Sequence, residues 1–61
     1  MANLTGKELT ALEDQLNFEK LMTCKYQSAA QSAADGELKQ KYQKYAACHQ
    51  RNYTDLLNFL K

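Results

Sequence analysis

Ala33-Ala34-Asp35-Gly36-Glu37-Leu38 decides how this chain folds. There is no proline, and the only glycines are Gly6 and Gly36. The residues on either side are dominated by Ala, Leu, Lys, Gln and Glu, which lose little on entering a helix. Asp35-Gly36 is therefore the one credible turn in the interior. Gly36 can adopt the left-handed conformation that ends a helix, or Asp35 can cap the next one. A break this short forces the flanking helices to lie adjacent and antiparallel. The expected class is all-α, one domain over residues 1–61, with helix 1 at about 6–33, a turn at 34–36 and helix 2 at about 37–60.

The first helix has a start signal at Thr5-Gly6-Lys7-Glu8, where the hydroxyl can accept from a free backbone N–H and Glu8 can reach back. Thr10-Ala11-Leu12-Glu13 repeats the pattern and would shift the start by a turn. Beyond it, Leu9, Leu12, Leu16, Tyr26, Ala30 and Ala33 recur at alternating intervals of three and four, with Glu19 and Thr23 filling the two gaps. That is a heptad seam. The second helix carries Leu38, Tyr42, Tyr45, His49, Leu56 and Phe59, with Asn52 or Tyr53 between His49 and Leu56. Folding at the turn sets Leu9 opposite Phe59, Leu12 opposite Leu56, Glu19 opposite His49, Thr23 opposite Tyr45, Tyr26 opposite Tyr42 and Ala30 opposite Leu38. Leu16 then faces Asn52, the weakest match. The expected core and dimer seam is Leu9, Leu12, Leu16, Tyr26, Tyr42, Tyr45, Tyr53, Leu56 and Phe59.

A chain of 61 residues buries too little surface to be comfortably stable alone. Phe18, Leu21, Met22 and Leu57 lie beside the seam and are expected to leave one side of the hairpin apolar. A two-fold dimer of hairpins, a four-helix bundle, is the simplest way to cover them, and a larger homo-oligomer is the alternative.

Eight basic and seven acidic residues, a net charge of +1, leave no electrostatic footprint for nucleic acid. No stretch approaches the roughly 18 apolar residues of a membrane span. Met1-Ala2-Asn3-Leu4 lacks the basic and apolar regions of a secretion signal, so an intracellular protein is expected. Cys24 and Cys48 form neither a disulfide framework nor a C-x-x-C knuckle; they read as two reduced, half-buried side chains, with a disulfide or a shared metal ligand as the alternative. Lys39, Lys41, Lys44 and Arg51 read as a solvated face. The tyrosines read as packing with hydroxyls at the rim.

Chemistry is concentrated at Glu19 and His49. A carboxylate inside a bundle is costly unless paired, and His49 is the partner at its level. The pair is either a structural hydrogen bond or a metal site. In a two-fold dimer, two carboxylates and two imidazoles would suit a single iron, manganese or zinc ion. No nucleophile–base arrangement or phosphate loop is present, so catalysis is not expected.

Glu19 with Tyr26 seven residues on, Asp35 at the turn, and His49 and Tyr53 on the second helix resemble half of a ferritin-like bundle. More specifically, Leu12-Glu13-Asp14-Gln15-Leu16, Lys25-Tyr26, Leu38-Lys39, His49-Gln50 and Tyr53 with Leu56-Leu57 resemble the small coat-F-like spore-coat proteins of endospore-forming bacteria. The resemblance implies a ferritin-like four-helix bundle built from two hairpins, a structural or assembly role in the spore coat, and other coat proteins as partners. It departs from the ferritin-like pattern at Ala46, which stands three residues before His49 where a bridging glutamate belongs. Four ligands per dimer replace the six of a dimetal carboxylate site, so oxygen chemistry is not expected. The alternatives are a small metal-binding ferritin-like protein using Glu19 and His49, and a generic helical module that adds its seam to a partner.

Overall fold

The computed structural model describes residues 4–61; Met1, Ala2 and Asn3, on which most of the secretion-signal reading falls, lie outside the described residues. The chain is a hairpin of two helices, α1 (Gly6–Ser32) and α2 (Gly36–Leu60), with no strand among the described residues. No described helix is long and apolar enough to cross a membrane.

Local chemistry sets both starts. Thr5 Oγ1 accepts from the Glu8 amide at 3.2 Å and Glu8 Oε1 accepts from the Thr5 amide at 3.0 Å, a reciprocal box that satisfies two free donors. The competing start at Thr10 is not used. At the turn, Ala33 is extended and Asp35 caps α2, its Oδ1 accepting from the Leu38 amide at 3.0 Å. Gly36 thus enters the helix as its first residue, and the left-handed ending is not adopted, since no glycine has positive φ.

The helices meet along a thin seam. Among the described residues Ala30 and Ala46, 4% and 5% exposed, are the buried apolar side chains, and no large side chain is fully buried. Leu12, Leu16, Tyr26, Tyr42, Tyr53 and Leu56 are half-buried. Leu9, Leu38, Tyr45 and Phe59 remain 44%, 42%, 45% and 54% exposed on the single chain. The shape is a rod of 46 × 15 × 11 Å. Its radius of gyration, 14.2 Å, exceeds the roughly 10.5 Å of a compact chain of this length.

Two expectations need correcting. Cys24 and Cys48 are exposed free thiols, not half-buried, because each sits on a flank that one neighbouring helix cannot cover. Leu57 does not share a side with Phe18 and Met22. In an antiparallel pair, positions three residues after a seam residue come to the same side on both helices. Met22 after Glu19 and Asn52 after His49 occupy that side. Leu57, one residue after Leu56, falls on the opposite side, with Gln50 one turn-pair earlier on the same row.

Candidate functional site: the Glu19 layer

Halfway along the rod, two helices place five polar side chains at one level. Glu19, on α1, is 5% exposed. Its carboxylate faces α2 because Glu19 occupies a seam position one heptad before Tyr26. Oε1 lies 2.5 Å from His49 Nδ1 and 3.4 Å from Asn52 Nδ2, and Oε2 accepts from Gln15 Nε2 at 2.8 Å. Thr23 Oγ1, also buried, donates to the Glu19 carbonyl at 2.8 Å, the usual way for a threonine to hide its hydroxyl within a helix. No buried side-chain polar atom of the described residues lacks a partner.

The hydrogen bond from His49 holds the Glu19 carboxyl below its ordinary value of 4.5, against the opposing effect of burial; Gln15, Asn52 and the charge of His49 push the same way as the bond. Glu19 is therefore an anion, which can only accept, and His49 carries a proton on Nδ1. The imidazole is fixed on both sides. The Tyr26 ring stacks on it at 5.7 Å between centroids, 8° from parallel, and Phe18 meets it edge-on at 6.1 Å. Tyr26 also stacks on Tyr42 at 5.8 Å and meets Tyr45 edge-on at 5.4 Å, so the polar layer rests on an aromatic one.

The structure thus brings together Glu19 and His49, and Tyr26 with Tyr42. Gln15, Asn52 and Phe18 belong to the same layer and are not evident from the seam alone. Their signal lies in the flank positions, since Gln15 is four residues before Glu19 and Asn52 three after His49, both on one side. Asn52, the poorest match to Leu16, is accounted for by its reach to Glu19.

A single hairpin brings two residues of the metal-ligating types together in this layer, Glu19 and His49. Both Glu19 oxygens are already engaged by N–H donors, Ala46 contributes no ligand, and no group of three or more His, Cys, Asp or Glu side chains converges among the described residues. The neighbouring groove is open and lined by Gln27, Gln43, Gln50 and Lys39 over Ala30 and Ala46.

Acid should loosen this layer. The folded carboxyl titrates lower than the unfolded one, so the folded chain binds fewer protons. The contribution of Glu19 to stability is full above about 4.5 and lost as pH falls through its folded value. Glu8, also held low by Thr5, adds to the same acid loss. Thermal melts between pH 3 and 7 should show the wild type losing stability at the acid end, with Glu19→Gln visibly flatter; identical slopes would contradict the assignment.

Compared with known proteins, the chain matches no family model, no curated protein and no solved structure.

Proposed function

We propose that this chain is a structural assembly protein, non-catalytic, whose hairpin is half of a four-helix bundle completed by a second copy. The carrying observation is uncovered area. The chain exposes 4759 Å² at 7.0 kDa, whereas a compact monomer of that mass exposes about 4,000 Å². The surplus of several hundred Å² approaches the roughly 800 Å² that each partner contributes to a standard interface. It includes Phe18, Leu21 and Phe59, each about half exposed. In this reading the Glu19 layer is a register pin. A polar group inside an apolar seam excludes slipped pairings that would strand its charge.

The resemblance to coat-F-like proteins extends the role to assembly in the bacterial spore coat, alongside other coat proteins. That extension rests on the residue resemblance alone. Fractionation of a sporulating culture checks it, and a protein confined to vegetative cytosol would remove it.

The assembly itself is tested by unfolding at different protein concentrations. If folding and association are linked, the urea midpoint rises with concentration. A midpoint constant over a hundredfold range would contradict the proposal.

One observation favours a second reading. In the neutral imidazole with Nδ1 donating to Glu19, Nε2 is the remaining lone pair, and metal-ligating histidines are commonly oriented by such a carboxylate. A single zinc, iron or manganese ion on His49, with Glu19 behind it, fits that geometry. Stoichiometric metal in chelator-free protein, lost in His49→Ala, would support it; metal-free protein with unchanged folding would end it.

A further inference from the structure

Resting on that self-association, we infer that two copies dock through the face carrying Phe18, Met22 and Tyr45, antiparallel to each other about a two-fold axis at the level of Cys48.

The two broad faces of the hairpin differ in what water can do for them. On one, Leu38, Tyr45 and Phe59 recur every seven residues along α2 and are 42%, 45% and 54% exposed, with Asn52 completing the row. Phe18, 48% exposed, and the half-buried Met22 stand beside them on α1. The opposite face carries Leu9 and Leu57, 44% and 39% exposed, at its far end, and is otherwise the open, glutamine-lined groove over Ala30 and Ala46. Burial by a second chain covers apolar side chains along the whole of the first face, whereas over the glutamine groove it costs hydrogen bonds.

Charge selects the orientation. On the aromatic face the turn-proximal end carries Lys25, Lys41 and Glu37, two positive and one negative, and the far end carries Glu8, Asp55 and Lys7, two negative and one positive, all exposed. None of the six forms an ion pair among the described residues. Two hairpins stacked with their turns together would set the net-positive ends against each other and the net-negative ends against each other. Stacked with their turns apart, they oppose unlike charges. Lys41, Cys48 and Asp55 share one row of α2 at intervals of seven. With Cys48 on the axis, Lys41 of each copy faces the second copy's Asp55, twice by symmetry. The same register sets Phe18 against the second copy's Met22.

Charge reversal tests both face and orientation. Sedimentation equilibrium should show Lys41→Glu weakening the dimer roughly tenfold, since two contacts are lost and two repulsions gained. Asp55→Lys should do the same, and the double variant should recover to within about threefold of wild type. These are exposed positions, and helicity by circular dichroism should not change. The cysteines give an independent readout. Packed helix axes lie about 8–10 Å apart, so a short bismaleimide should link dimers of Cys24→Ser through Cys48 and fail on Cys48→Ser. A dimer with no charge-swap rescue, or one linked through Cys24 instead, overturns this face and orientation while leaving self-association standing. A folded monomer at all concentrations overturns both.

Discussion

Replacing Glu19 with alanine is expected to lower unfolding free energy by about 2–3 kcal/mol, a large share of what a hairpin this size can hold. The loss has two sources. The anion that accepts from His49, Gln15 and Asn52 disappears, so three donors must find water or remain unmet. The Glu19 side chain is 7% exposed, so its cavity lies in the seam, whereas the imidazole is 23% exposed and partly recovers solvent. That partial recovery keeps the effect below the 3–5 kcal/mol of a fully buried pair. Urea titration followed at 222 nm measures it. Glu19→Gln, which keeps the shape and can still accept, should cost less than half as much. A double-mutant cycle with His49→Ala should return coupling, since each single change strands the other partner. Glu19→Leu carries a separate expectation. It can leave stability near wild type, because burying apolar surface replaces a pair that was costly to desolvate, yet it should loosen the register. A Glu19→Ala loss below 0.5 kcal/mol would show that the layer is ornamental.

Tyr26→Ala is the second large effect, about 2–3 kcal/mol. Among the described residues Tyr26 is the one ring touching three others, Tyr42, Tyr45 and the His49 imidazole. Truncating a fully buried aromatic costs about 3–5 kcal/mol. Half-burial reduces that, and the lost ring pairs, each about 0.5–1.5 kcal/mol, add back to it. The phenol oxygen makes no hydrogen bond among the described residues, so Tyr26→Phe should stay within about 0.5 kcal/mol of wild type. If Tyr26→Phe were as damaging as Tyr26→Ala, the hydroxyl and not the ring would be holding the layer.

Much of this architecture is readable from the chain itself, for physical reasons. A single glycine between long runs of helix formers leaves one place to turn. Two caps, Thr5 and Asp35, announce themselves because free amides need acceptors and few side chains supply them. Once the turn is located, antiparallel geometry brings Glu19 to His49 and Tyr26 to Tyr42 by spacing alone. The flanks are harder. Whether a side chain one residue off the seam lies left or right depends on helix handedness and strand direction together, and Leu57 is where the simple stripe misleads. Cys24 and Cys48 show a related limit: proximity to a seam does not bury a residue when only one neighbour exists to bury it. The amides of Gln15 and Asn52 look like ordinary surface residues until the carboxylate between them is placed.

The thin core and the polar layer point the same way. Alanines at the contact let the helices approach closely but bury little, and the larger side chains are left on the rim. In the proposed assembly Glu19 supplies the hairpin's specificity, and a second chain supplies the additional burial.

Sedimentation equilibrium of the purified, reduced chain from low micromolar to millimolar concentration addresses that claim most directly. The expected result is a reversible species of twice the chain mass, about 14 kDa from the 7.0 kDa protomer, that remains helical throughout. A helical, cooperatively folded species that stays at 7.0 kDa across the whole range would contradict it.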